Sequence, residues 1–322
     1  LKAGPRARPH FPAPWPGSAV RAPGCSARRA GTQGRRSMVA AAAEGVTPDA
    51  LTSQLSIQDY SRFEEGRHLN DALIDFFLGY LTRRWGGQRA HAFSTHFFTR
   101  LVSRNAVDGI QGWENVANWT AKLRRVSPHG IFVRDFLFLP INVGGGASAH
   151  WLLVVICRPW GCMAEAASNA APTVAFLDSL AGNEHVHKQV LTFLRGYLFR
   201  EWDACVGGDF DPERMKGLSV EVPRQPNSDD CGVYLLEFAL QLLRQRALLE
   251  AIGVQPLQLA APHLPRRRWE RVSAMFREMA TQGITAMDDA REAELDRLLQ
   301  PPAAGRCLLP APPPAQRRPP QP

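Results

Sequence analysis

No Cys-x-x-Cys pair occurs in this chain of 322 residues. Its six cysteines, Cys25, Cys157, Cys162, Cys205, Cys231 and Cys307, form no Cys/His cluster at zinc-ligand spacing. Two of them lie in the irregular ends, so cysteine usage is that of a reducing compartment and not of a disulfide framework. No stretch approaches the roughly 20 apolar residues of a membrane span, and no membrane partner is expected. Acidic residues are missing from 1–43, which carry eight Lys or Arg; the tail 301–322 adds three more and again no acid. The net charge of +8 therefore sits in the ends, and residues 44–300 sum to −3. A pI of 9.6 invites a nucleic-acid reading, but the part able to fold has no basic excess, so no nucleic-acid partner is expected. No internal repeat is visible.

Composition divides the chain into three. Residues 1–50 are rich in Pro, Ala, Gly and Arg and are expected to be disordered. The chain begins at Leu1, and this stretch reads equally well as an organelle transit segment, a basic arm, or sequence ahead of a start at Met38. Residues 299–322 form a Pro-rich tail. The middle, 52–298, reads as one domain; the 45% hydrophobic content can support a sizeable core.

Within it, Leu69, Leu73, Phe76, Phe77, Tyr80 and Leu81 share one helical face, with Asn70 placed as cap and Asp71 as first-turn acid. Phe93–Leu101 reads as a helix lining the core. Phe136–Val143, Trp151–Cys157, Thr173–Leu177 and Leu218–Val222 read as strands. Trp151–Cys157 is apolar on both faces and hence central. Val190–Trp202, Trp269–Met279 and Ala293–Leu299 have helical spacing. Gly232–Leu243 is apolar almost all round and must be a buried helix. Helices segregated from a small mixed sheet make an α+β domain.

Three reactive residues stand at the edges of these buried elements. Cys231 lies at the mouth of the apolar helix, where free N–H groups and a partial positive charge stabilise a thiolate. Ser228, Asp229 or Asp230 would cap that helix. His150 directly precedes the central strand, a rigid mount for a base. Asp178 ends the next strand and can orient an imidazole. Gln225 can donate its amide N–H to a developing oxyanion, together with the backbone N–H of Cys231. Trp151 can cover a narrow channel. Each residue alone has an ordinary reading: a small buried cysteine, a structural histidine, a turn aspartate, a loop glutamine, a core tryptophan. Together, in the order His, Asp, Cys, they suggest a thiol hydrolase arranged differently from papain, whose order is Cys, His, Asn. That chemistry calls for no cofactor and no metal.

The motifs that carry a closer likeness are Leu69-Asn70-Asp71-Ala72-Leu73-Ile74-Asp75-Phe76-Phe77, Phe97-Phe98-Thr99-Arg100-Leu101, Trp119-Thr120-Ala121-Lys122 and Phe138-Leu139-Pro140-Ile141-Asn142. They continue with His150-Trp151, Leu177-Asp178-Ser179 and Gln225-Pro226-Asn227-Ser228-Asp229-Asp230-Cys231-Gly232. In this order the chain resembles the Ulp/sentrin-specific (SUMO) cysteine protease family from about Leu55 to Met279, and most closely its poly-SUMO-editing branch. The resemblance implies a papain-like superfamily fold, with the nucleophile on a buried helix against a small mixed sheet. It implies His150 as general base, Asp178 as its orienting partner, Cys231 as nucleophile and Gln225 as oxyanion donor. It also implies SUMO or a related ubiquitin-like protein and its conjugates as partners, and the nucleus as the place of action, with cytoplasm or an organelle still open.

The chain departs from the family pattern at His68, where relatives often carry an aromatic wall of the substrate tunnel opposite Trp151. The stretch Gly144–Ala149 looks lengthened and Arg158–Pro172 looks inserted. Rival readings are the same fold acting on another ubiquitin-like modifier or on ubiquitin, an acyltransferase with the same triad, and a non-catalytic modifier-binding module.

Overall fold

The central strand organises the molecule. In the computed structural model, residues 55–103, 106–144, 149–163, 171–284 and 287–300 are described. The expectations for 1–50, for 301–322, for 145–148 of the glycine-rich stretch and for 164–170 of the insertion fall outside them. Strand β3 (His150–Cys157) is buried along its whole length. It is the middle of a five-stranded sheet whose order follows the chain, from β1 (Ala90–Ala92) through β2 (Phe136–Val143), β3 and β4 (Thr173–Leu177) to β5 (Lys216–Ser219). The two inner pairings, β2–β3 and β3–β4, are antiparallel; the two outer ones are parallel. Pro140, which cannot donate to a ladder, pairs with Leu153 on β3 but lies beyond the end of β1, where β2 has a partner on one side only.

Alternation along β3 explains why it is apolar throughout. Trp151, Leu153, Val155 and Cys157 join one core, Leu152, Val154 and Ile156 the other. The first core is covered by α2 (Asp71–Leu81), α7 (Cys231–Arg244) and α9 (Pro265–Thr281); the second by α6 (Glu184–Cys205) through Val190, Phe193, Leu194, Tyr197, Leu198 and Trp202. Before α2 comes the short α1 (Ile57–Tyr60), and α3 (His96–Leu101) follows β1.

Asn70 caps α2 as expected, its Oδ1 accepting from Leu73 N–H at 3.2 Å. Helix α7 is buried from Cys231 to Leu243. Its polar members are satisfied: Gln241 exchanges hydrogen bonds with the backbone of Ala260, and Glu237 accepts from Arg268 and Trp269.

The helices α4 (Gly109–Val116) and α5 (Ala121–Val126) are not among the helices expected from the sequence, although Ile110, Trp113 and Val116 recur at helical spacing in α4. Glycine lowers helix propensity, yet Gly109 is required: a Cβ there would stand 1.7 Å from the carbonyl oxygen of Phe193 in α6. The short α8 (Arg246–Ala251) follows α7, and α10 (Asp289–Leu298) closes the described chain.

Candidate active site

Strand register builds one half of the site. Leu153 pairs with Leu177, so one further step sets Leu152 against Asp178 and makes His150 and Asp178 same-face diagonal neighbours. His150 Nε2–H donates to Asp178 Oδ1 at 2.7 Å. The carboxylate accepts three further bonds. Leu180 N–H reaches Oδ1 at 2.9 Å, while Asn183 Nδ2 at 2.8 Å and His187 Nε2 at 3.3 Å reach Oδ2. Burial disfavours charge on this aspartate, but the bonds from His150, His187, Asn183 and Leu180 outweigh it and hold the carboxyl well below the usual carboxylate range. Burial likewise opposes a charged His150; Asp178 first and Cys231 second overcome it and push the imidazole up to about 9.

Helix α7 supplies the other half. Cys231 is its first residue, with no exposed surface. The sulfur lies 3.9 Å from His68 Nδ1, so this imidazole stands over the thiol. His150 Nδ1, the ring nitrogen turned away from Asp178, is buried and has no hydrogen-bond partner among the described residues. Close approach of the two segments depends on Gly232: a Cβ there would come within 2.9 Å of the Leu69 Cβ.

The expected side-chain cap on α7 is not formed. Asp230 occupies the cap position, but its carboxylate is taken by Arg266 Nε at 2.6 Å and Asn227 Nδ2 at 2.9 Å. A buried guanidinium competes better for that carboxylate than a backbone N–H does. Arg266 also donates to Asp229 Oδ2 at 2.9 Å and to the carbonyls of Glu64 and Arg67 at 2.9 and 3.1 Å. It thereby ties the loop carrying His68 to the loop that leads into Cys231. The first turn of α7 is left without a capping side chain, and its positive end faces the sulfur.

Gln225 bridges the halves. Its Oε1 accepts from the Ser179 hydroxyl at 2.6 Å and its Nε2 donates to the Asn227 carbonyl at 2.7 Å. These bonds fix the amide's orientation and leave one N–H for another acceptor. Trp151 is buried in the core, and its Nε1–H donates to the Leu69 carbonyl at 2.9 Å. Among the described residues no group of His, Cys, Asp and Glu is arranged to hold a metal ion.

A hydrogen-bonded His–Asp pair beside a helix-mounted cysteine is a thiol-protease arrangement, and comparison with known proteins names the kind. Residues 67–249 match the Ulp1 protease family, C-terminal catalytic domain. The chain belongs to the Ulp1 protease family. It is similar to the probable ubiquitin-like-specific protease 2A of Arabidopsis thaliana, 31% identical over 59% of this chain and 25% of that protein. It is also similar to ubiquitin-like-specific protease 2 of Schizosaccharomyces pombe, 29% identical over 60% of this chain and 34% of that protein. The chain thus spans about a third or less of these relatives. Among solved structures, a SUMO protease Ulp1 whose catalytic cysteine is oxidised to a sulfenic acid aligns with a TM-score of 0.52. That likeness covers 82% of this chain and 100% of that one at 22% identity, and it shares the fold.

In this Ulp1-family domain, the sequence motifs converge on one place: His150, Asp178, Cys231 and Gln225 all lie at one end of the sheet and α7. Sequence reasoning missed His187, Asn183 and Arg266. His187 meets Asp178 only because α6 begins at Glu184 and crosses that face of the sheet. Arg266 arrives from α9, thirty-five residues beyond the thiol, and reads in sequence as one of three consecutive arginines on a helix. Ser179 did stand in the Leu-Asp-Ser motif, but nothing local announced its bond to Gln225.

Proposed function

We propose that this domain is a cysteine isopeptidase that hydrolyses the bond after the C-terminal Gly-Gly of SUMO, in conjugates or precursors. The observation that carries the reading is the 2.7 Å His150–Asp178 bond with the open Nδ1 of that imidazole turned from the carboxylate, in a chain of the Ulp1 family. The names of its relatives support the substrate class: two are ubiquitin-like-specific proteases, and a mouse relative 27% identical over 56% of this chain is sentrin-specific protease 7.

The chemistry follows from the groups present. The Cys231 proton passes to His150 Nδ1, and the thiolate is stabilised by the imidazolium and the open end of α7. The sulfur attacks the glycine carbonyl; the oxyanion is met by the free Nε2–H of Gln225 and the backbone N–H of Cys231. Collapse breaks the C–N bond, and His150 returns its proton to the departing lysine amine. Water then gives a proton to His150 and attacks the thioester, releasing the glycine carboxylate and restoring the thiol. Trp151 and His68 are the proposed walls of the slot that admits a tail without side chains and excludes others.

The catalytic unit is proposed to span 52–298, since elements run from Ile57 to Leu298. Nuclear action is proposed with the substrate class; among the described residues no helix is long and apolar enough to cross a membrane. A fluorescent fusion locates the chain.

One observation favours a second reading, a non-catalytic modifier-binding module: the thiol is fully covered, with His68 against it. A panel of ubiquitin-like fusions, tested with the wild-type chain and Cys231→Ala, separates the two. Cleavage of the SUMO fusion lost in Cys231→Ala supports the isopeptidase. Cleavage that survives the substitution removes Cys231 as nucleophile. Binding with no cleavage and no labelling of Cys231 by a C-terminally electrophilic SUMO supports the module.

A further inference from the structure

Asp178 serves two imidazoles, not one. His150 takes Oδ1 and His187 takes Oδ2 of the same carboxylate. His187 is itself firmly placed. Its ring stacks on Phe176 at 4.5 Å between centroids and 11° between planes, and its Nδ1 lies 3.0 Å from the Ser219 hydroxyl of β5. Its side chain is 11% exposed.

We propose that His187 is a positioning residue for the triad: by holding Oδ2 it fixes the plane of the Asp178 carboxylate, so that Oδ1 meets His150 in one direction. The inference rests on the triad reading above. The Ser219 hydroxyl and the Phe176 ring fix the His187 ring in turn, so its Nε2 approaches the carboxylate from one direction only. Asn183 Nδ2 shares Oδ2 with it, and Leu180 N–H shares Oδ1 with His150, so each carboxylate oxygen carries two donors. His187 contributes the one aromatic donor to Oδ2, mounted on α6 and stacked on β4, and ties the carboxylate to both elements.

The test reads the His150–Asp178 hydrogen bond directly, by the downfield proton NMR signal of His150 Nε2–H at fixed pH. His187→Leu is expected to move or broaden that signal, and His187→Gln, which keeps a donor for Oδ2, to bring it back towards the wild-type position. His187→Leu is also expected to lower kcat on a SUMO fusion by about tenfold to a hundredfold, as a small misplacement of a reacting group does, with KM little altered and His187→Gln restoring much of the loss. If His187→Leu fails to fold, Ser219→Ala, which releases the ring without removing it, is expected to give a smaller change of the same kind. A signal and kcat unchanged in the folded variant, or a loss that His187→Gln does not restore, overturns the positioning role. Cys231→Ala and His150→Ala serve as controls. If they cleave like wild type, the triad reading itself has failed; if they are inactive while both His187 variants behave as wild type, only this inference has.

Discussion

The two halves of the site are held by different means. The base half is set by strand pairing: β3 and β4 place His150 against Asp178, and four donors saturate the carboxylate. The thiol half is set by the start of α7 and the loops packed on it. Cys231 has His68 Nδ1 at 3.9 Å and also acts on His150, and its position depends on a guanidinium clamp and a missing side chain at Gly232. The end of a central strand is rigid and suits a base whose direction matters. A nucleophile that must admit a substrate tail is better mounted where the cover can shift.

The sharpest way to break this contrast is at the clamp. Arg266→Met strands the buried carboxylate of Asp230 and the partly buried one of Asp229, and removing one partner of a buried pair costs about 3–5 kcal/mol. Urea unfolding is expected to report a loss of that order, with the His68 and Cys231 loops opening first in hydrogen exchange. A loss below about 1 kcal/mol, the range of exposed pairs, would mean the clamp is not holding the thiol half.

Next is Gln225, the residue shared by both halves. Gln225→Ala is expected to cut kcat on the SUMO fusion by about a hundredfold to a thousandfold, as loss of one oxyanion donor does, with binding retained. Ser179→Ala, which frees the amide to turn, should produce a smaller loss of the same kind.

Gly232→Ala probes the thiol half more gently. Its Cβ meets Leu69 at 2.9 Å, and overpacking of this kind costs about 1–3 kcal/mol. The melting temperature should fall, and Cys231 should alkylate faster as the covering segment is pushed outward. An unchanged alkylation rate would indicate that the 68–69 segment does not control access.

The smallest effect comes from titrating the base half. The folded-state pKa of His150 is raised to about 9, so its contribution to stability is complete below its ordinary value of about 6.5 and is lost as pH rises through 9. Asp178 is shifted down, so its contribution holds above the ordinary carboxylate value and is lost as pH falls. The melting temperature is expected to decline between pH 6.5 and 9 in the wild type and to flatten in His150→Gln. An equal slope in both would detach this window from the triad.

Much of the fold was legible in sequence because its signals are local. The alternation and apolar runs of β2, β3 and β4 are strong, and α7 announces itself by being apolar on every side. Boundaries moved where packing overrode pattern. Helix α6 extends from Glu184 to Cys205 although only Val190–Trp202 has clear periodicity, and the last strand pairs over Lys216–Ser219, earlier than expected, because it must align with Thr173–Phe176. Strand β1 was not foreseen at all: Ala90-His91-Ala92 has no β pattern and exists because it lies parallel to Phe136–Phe138.

The site divides in the same way. Sequence alone determined the chemistry available, since His150, Asp178 and Cys231 each sit at the end of an element that its own residues specify, and Gln225 in the loop that leads into α7. Tertiary structure alone decided which groups act on one another. The second imidazole on Asp178, the loss of Asp230 as a cap to Arg266, and His68 lying over the sulfur join residues whose separation in the chain carries no period, so only the crossing of helices over the sheet could bring them within reach.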